Sequence, residues 1–466
     1  MKNHVETLAT SVINQVYQSY NAAKPYVKAG FDRDVRHPEW TGRILAELGH
    51  PDRSGYNVSV TGSKGKGSHA IILAAILRRM GLKVGLFTGP HLIDYMERLR
   101  INGQVIEESV FVTHVKRVLT VVDDIDLSGN QYVGPIGILA AAAALWFQER
   151  QTDVNVYEYG RGALHDDVNQ IWHQGAVLTP VFSEHAAQLG PTVRDIAIEK
   201  LGILTPETEW LCSHPQSDVV VEVLGERANA QQTSINFLNR DFSYMRNGSE
   251  VRFETSDRSQ YILKIPDWPQ FIVDNAAVAL DAAIRTWKGM GRPRHDMPQV
   301  IDITDLRLPG RMMHVRQEPL TIVDGTVHLE SAHYIQQWIR RQVQNGRSRR
   351  VKAVFGLPAD KDREGVFAQL RSVVDKAVVT KAQNPHLTFA EDTLALARRY
   401  FADAVATPDL VSAMQTIDED ANPQDLILVL GTQSFVAEAL AHFGINTHTL
   451  WEEPVNHNAD IEPASS

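Results

Sequence analysis

Seven consecutive residues, Gly62-Ser-Lys-Gly65-Lys66-Gly67-Ser68, hold three glycines and two lysines. Glycines at such spacing let backbone N–H groups turn inward around an anion, and a helix starting there adds its partial positive end. Lys66 would meet the outer phosphates of a nucleotide as a point charge, and Ser68 would offer a hydroxyl to Mg²⁺. The spacing is shorter than the common G-x-x-x-x-G-K-[ST] pattern, and the plain alternative is a glycine-rich turn with solvated lysines. Three more polar positions follow. Glu158 closes a predicted strand before Gly160-Arg161-Gly162, His185 lies in the turn Ser183-Glu184-His185, and Lys200 ends a helix that starts at Val193. A carboxylate and an imidazole at adjacent strand ends could bind a divalent cation, which would neutralise charge on a transferring phosphoryl group. Singly, each has an ordinary reading: a solvated carboxylate, a loop histidine, a last-turn lysine complementing the helix dipole.

Positioning these groups requires strands that end beside one another. Val58 and Val60 alternate in a strand that ends at Gly62, and Ile71, Ile72, Ala75, Ile76 and Met80 then follow helical spacing. Lys83–Thr88, Val154–Tyr159 and Ala176–Thr179 read as further strands, with helices over Glu107–Val122 and Ile136–Gln148. Strands alternating with helices predict a doubly wound parallel sheet with ligands at the strands' carboxyl ends. Residues 1–50 read as mainly helical, with Phe31–Trp40 irregular and a short helix over Trp40–Leu48. Between Asp218 and Pro266, the runs Val219–Val223, Val251–Thr255 and Tyr261–Ile265 predict an antiparallel side sheet. Phe271–Lys288 returns to helix. A second α/β unit follows, with strands at Leu320–Asp324, Lys352–Phe355, Lys376–Thr380 and Leu426–Leu430 and a hinge near Leu308-Pro-Gly-Arg311.

The chain has 466 residues, 43% hydrophobic and 22% charged, which suits a soluble protein of two or three domains. A net charge of −10 argues against nucleic acid as a general partner, so an anionic ligand must be caught by local donors. The single cysteine, Cys212, excludes an internal disulfide and a cysteine-cluster metal site, and fits a reducing compartment. The polar start Met1-Lys-Asn-His-Val-Glu has no signal-like apolar run, and no segment approaches the roughly 20 apolar residues that span a bilayer. The expected location is the cytoplasm, with no membrane contact.

Further along, the motifs become specific. Val60-Thr-Gly-Ser-Lys-Gly-Lys-Gly-Ser68 is followed by Gly85–Leu92, Glu97–Gly103, and Tyr157-Glu-Tyr-Gly-Arg-Gly162 with Asp166 and Asn169. Glu184-His185, Leu189–Thr192, Ile196–Ile203, Asp274-Asn275-Ala276-Ala277, Pro309-Gly310-Arg311, Asp324-Gly325 and Asp360-Lys361-Asp362 come next. In this order they resemble the folylpolyglutamate synthase/dihydrofolate synthase family, a branch of the Mur ligase superfamily, over roughly residues 30–440. The resemblance implies an α/β, two-domain Mur-ligase-like fold: a P-loop ATPase domain with a parallel sheet over residues 1–300 and a smaller Rossmann-like C-terminal domain over 301–450. Residues 451–466 would form a mobile acidic tail. It implies ATP and Mg²⁺ as cofactors. Gly62, Ser63, Lys64, Gly65, Lys66, Gly67 and Ser68 would hold phosphates and Asn275 the adenine, while Arg311 and Asp324 would reach phosphate and ribose on closure. Ser68, Glu158 and His185 would bear on the metal; Lys66, Lys200 and His185 would be catalytic, Lys200 matching a lysine that the family carbamylates. The implied reaction is ATP-dependent amide ligation. A carboxylate of folate or a related acid becomes an acyl phosphate, and the amine of an amino acid, glutamate above all, displaces phosphate. A monomer acting on these small molecules is expected.

Departures cluster around acceptor and metal. Gly89 replaces a serine, Ala163-Leu164-His165 stands where the family has Gly-Arg-Leu, Tyr132-Val133-Gly134 replaces an aromatic–glutamate pair, and Ile272 replaces a glutamine. Asp324-Gly-Thr-Val-His328 shifts the family's histidine by one position. The same chemistry on a non-folate acid, and nucleotide binding without catalysis, therefore stay open.

Overall fold

Tyr56–Thr61 is buried at every position, the pattern of a strand covered on both faces of a parallel sheet. The computed structural model describes residues 8–452 apart from 28, 29, 256, 347 and 348. Its first sheet contains β1 (Tyr56–Thr61), β2 (Val84–Phe87), β3 (Leu99–Ile101), β4 (Gln104–Val105), β5 (Val154–Glu158), β6 (Gly175–Leu178), β7 (Trp210–Ser213) and β8 (Ser234–Phe237). They lie in the order β4-β3-β2-β5-β1-β6-β7-β8. The chain is α/β, as predicted, and β1, β2 and β5–β8 are parallel. The edge differs from expectation, because β3 and β4 add an antiparallel hairpin. Its turn is Asn102-Gly103, both residues at positive φ, the backbone a tight hairpin needs.

Helices cover both faces. The helix Lys66–Arg79 is buried on nearly all sides and packs against Gln270–Gly289. The N-terminal region is helical from Leu8 on, with a short helix at Asp32–Val35 inside the stretch expected to be irregular and another at Glu39–Glu47. One prediction is overturned: Val219–Val223 lies within a helix, Asp218–Gln231. Val220, Val223, Leu224 and Ala228 form its buried stripe at spacings of three and four, and that longer periodicity outweighs the β-propensity of the valines.

A side sheet joins β9 (Ser243–Asn247), β10 (Glu250–Glu254), β11 (Gln260–Lys264) and β12 (Val300–Asp302), antiparallel except for β11–β12. The third sheet holds β13 (Met313–Gln317), β14 (Leu320–Asp324), β15 (Val351–Gly356), β16 (Lys376–Val379), β17 (Asp403–Ala406) and β18 (Leu426–Gly431), in the order β13-β14-β18-β15-β16-β17. Its four predicted strands are present. The two unpredicted ones, β13 and β17, are edge strands with exposed polar residues, so no apolar run betrays them. After the last helix, Gln433–His442, the chain returns to the first sheet, where Val105 N–H donates to His448 O and Leu450 N–H to Gly103 O. Trp451, expected at the start of the tail, is buried, and residues 453–466 lie outside the described residues. Among the described residues no helix is long and apolar enough to cross a membrane.

Candidate active site

The glycine loop leaves β1 at Gly62 and enters the helix Lys66–Arg79 at Gly65. Both glycines have positive φ, +138° and +85°. A side chain on Gly62 would also collide with Thr179, whose Oγ1 lies 2.0 Å from the Cβ position. Register fixes what surrounds the loop. Glu158 on β5 pairs with Val60 of β1, and Leu178 on β6 pairs with Thr61. The strands carrying Glu158 and leading to His185 thus flank β1 on opposite sides, instead of standing side by side as predicted.

Glu158 is buried and accepts a hydrogen bond from Gly89 N–H at 3.0 Å. Its carboxylate lies 3.2 Å from where a Cβ on Gly67 would sit. Burial pushes its pKa up to about 7, against the Gly89 bond and the charges of Lys66, Arg98 and Arg311. His185 is half exposed and adopts the left-handed conformation, φ 47°, at the start of the helix Ala186–Leu189. Partial burial holds its pKa below the usual histidine value; Lys200, Arg161 and Lys66 push the same way and Glu184 opposes them.

Lys200 is not a solvated last-turn lysine. Its side chain is 0% exposed, and Nζ donates to Gly62 O at 2.8 Å and Arg161 O at 2.6 Å and pairs with Glu184 at 2.9 Å. Three acceptors around one nitrogen suit an ammonium, although burial and the nearby Lys66 lower its pKa to about 8. Lys66 Nζ turns back to Gly62 O at 3.0 Å. Ser63 is engaged within the protein: its N–H donates to Pro180 O, its hydroxyl donates to Phe182 O, and it accepts from Phe182 N–H. Lys64 is exposed and Ser68 buried.

Asn275 is buried beside Gly65, and its Nδ2 has no hydrogen-bond partner. Thr179 Oγ1 is buried without a partner too. Unpaired polar atoms at one loop are what a ligand's donors and acceptors would satisfy. From the third sheet, Asp324 accepts from Met312 N–H at 2.8 Å and from Thr326, and burial raises its pKa. Arg311 Nη1 donates to Gly310 O at 2.8 Å, and its charge acts on Glu158, Asp324 and Lys64. The structure therefore brings Glu158, Lys200 and Asn275 against the glycine loop, while Asp324 is placed beside Met312 and Thr326. Nothing in the sequence singled out Thr179; its place one residue beyond a strand beside Gly62 is the only signal.

The Mur ligase, glutamate ligase domain model matches residues 310–433. The dihydrofolate synthase/folylpolyglutamate synthase of Escherichia coli K12 is 28% identical over 400 residues, 85% of this chain and 89% of that protein. Its namesake from Mycobacterium tuberculosis is 26% identical over 403 residues, covering 81% of this chain and 82% of that one. The structure of E. coli FolC in complex with DHPP and ADP superposes with a TM-score of 0.75 at 25% identity, over 94% of this chain and 98% of that one. Over most of its length the chain is thus similar to the folylpolyglutamate and dihydrofolate synthases, and residues 310–433 carry a Mur ligase C-terminal domain. Two of the departures have a spatial counterpart. At Gly89 a Cβ would lie 2.7 Å from Arg98 Nη1, and at Gly134 it would lie 2.1 Å from Asp167 Oδ2. His328 sits at the start of the helix Leu329–Gln344, where Lys64 lowers its pKa further after burial. Asp362 accepts from Leu329 N–H and Gly365 N–H, bracing two helix starts.

Proposed function

We propose that this protein is an ATP-dependent ligase joining an amino acid, glutamate by preference, to a carboxylate of folate or a closely related acid. The observation that carries the reading is the buried Glu158 carboxylate set against the glycine loop, with the charge of Arg311, two residues ahead of β13, acting on it. The loop amides and Lys66 would hold phosphates, Asn275 the base, and Arg311 and Asp324 the nucleotide from the other side. Residues 1–300 and 301–450 would work as two domains that close and exclude water from the activated acid. For Mg²⁺ the donor set fits. No three His, Cys, Asp or Glu side chains converge among the described residues, and Mg²⁺ is commonly held by one or two carboxylates plus phosphate oxygens and water. Glu158, Ser68 and His185 would supply the protein's share, and the bound cation would neutralise phosphoryl charge. Lys200 braces Gly62 and Arg161 as an ammonium; a carbamate on Nζ would have to swing away from those carbonyl oxygens.

A carboxylate oxygen of the acid takes the γ-phosphoryl group of ATP and ADP leaves; the neutral amine then attacks the carbonyl carbon of the acyl phosphate, loses a proton, and phosphate leaves. A second reading, the same chemistry on a non-folate acid, is favoured by Gly89 and Gly134, where Arg98 and Asp167 fill side-chain space. In either case the protein would act in the cytoplasm as a monomer, in one-carbon metabolism if the acid is a folate. The test is phosphate release from ATP across pteroates, folates and other acids paired with glutamate and other amino acids, with products identified by mass. Release that requires both an acid and an amino acid, and is abolished in Lys66→Ala, is expected. Nucleotide binding without turnover on every acid overturns it.

A further inference from the structure

Beneath the loop lies a pair of side chains that the proposed chemistry does not use. His69 follows Ser68 on the helix Lys66–Arg79, and His214 follows β7. Both are buried, and their Nε2 atoms stand 2.7 Å apart. The other nitrogen of His69, Nδ1, lies 3.0 Å from the carbonyl oxygen of Gly65. We infer that His69 and His214 form a positioning dyad that locks the Gly65–Lys66 peptide plane and so aims the Lys66 N–H into the phosphate loop. This rests on the reading of the loop as an ATP site.

The hydrogen-bond logic leaves one arrangement. A carbonyl oxygen only accepts, so His69 Nδ1 carries a proton. Neutral His69 then presents a bare Nε2, and only one proton fits between two nitrogens 2.7 Å apart, so it belongs to His214 Nε2. The chain of donation runs from His214 to His69 to Gly65 O. Both rings are buried, and burial disfavours a charged form of either. In a planar trans peptide the carbonyl and the next N–H point in opposite directions. Tying Gly65 O towards the protein therefore turns the Lys66 N–H outward. The His69 N–H also donates to Gly65 O, at 2.9 Å, so this oxygen is held from two sides. Without His214, His69 keeps a buried nitrogen lacking a donor. Alternatively it switches tautomer and sets a lone pair against Gly65 O. Either outcome loosens the peptide that should meet a phosphate.

His214→Leu removes the donor while preserving bulk, and His214→Gln restores an N–H at about the same reach. Calorimetric titration with Mg·ATP should show affinity weakened about tenfold in His214→Leu, the equivalent of one buried hydrogen bond, and largely recovered in His214→Gln. The KM for ATP should rise in step while those for acid and amino acid stay put. Nitrogen NMR of histidine-labelled wild-type protein should find His69 as the Nδ1–H tautomer, a readout that needs no variant to fold. The opposite tautomer overturns the dyad. So does wild type that binds Mg·ATP alongside a His214→Leu protein that binds it equally well. Wild type that binds no Mg·ATP removes the ATP reading itself, and this inference with it.

Discussion

Asp167 shows how burial sets the energetics of a single carboxylate. Its carboxylate occupies the space that a side chain on Gly134 would take. Burial pushes its pKa from 3.8 up to about 7, with Arg36 pulling it down and Asp166 adding to the rise. The folded state therefore holds a proton that the unfolded chain releases. The resulting stabilisation is complete below the ordinary carboxylate value and lost as pH climbs through about 7. Asp167→Asn keeps the shape and removes the titration. Melting curves between pH 4 and 8 should be flatter for this variant. Above neutrality it should be more stable than wild type by on the order of 2 kcal/mol. Parallel curves for the two proteins would mean that Asp167 is solvated or differently paired.

Among the elements, the loop and the segment after β6 act as one piece. Ser63 holds them with three hydrogen bonds, to Pro180 O and to both backbone polar groups of Phe182. That segment carries Glu184 and His185, so the tether sets where these two side chains stand relative to the glycines. Ser63→Ala retains only the backbone bond. It should cost about 2 kcal/mol of stability and raise the KM for ATP several-fold, because it removes two hydrogen bonds, each worth roughly 1 kcal/mol net. Steady-state kinetics with a parallel melt check this, and an unchanged KM would make the tether irrelevant to the site. Much of this was legible beforehand: β1, the glycine turn and the following helix carry opposed periodicities, 2 and 3.6, with Gly62 and Gly65 between them. The hairpin β3–β4 could have been read from Asn102-Gly103. Val219–Val223 could not be placed by propensity, because five residues rich in β-branched side chains look the same in a strand and in a buried helical stripe. The His69–His214 pair was invisible, since its members are 145 positions apart and only the fold brings β7 beside the loop helix.

At the scale of the whole molecule, the first and third sheets are joined by more than the connection through Leu308. After the helix Gln433–His442 the chain crosses back and docks on the hairpin β3–β4. Buried Arg100 donates to Thr447 O at 2.8 Å and His448 O at 2.9 Å, and Glu97 accepts from the Thr447 hydroxyl at 2.6 Å. Arg307 N–H donates to Leu450 O, so the returning segment also holds the stretch that leads into Pro309-Gly310-Arg311. Trp451, 2% exposed, lies flat on Gly103, with ring atoms from 2.7 Å of the Cβ position there. Its ring therefore pins the end of one unit to the edge of the other. Trp451→Ala should cost about 3–5 kcal/mol, as other large-to-small aromatic truncations in cores do. Because the ring bridges two units, calorimetry should also show their unfolding separate into two transitions. Trp451 Nε1 is buried without a hydrogen-bond partner, so Trp451→Phe forfeits no bond and should lose only the smaller packing difference. If both variants melted like wild type in one transition, the segment would be a passive trailing end, and the placement of Arg311 would rest on the connection through Leu308 alone.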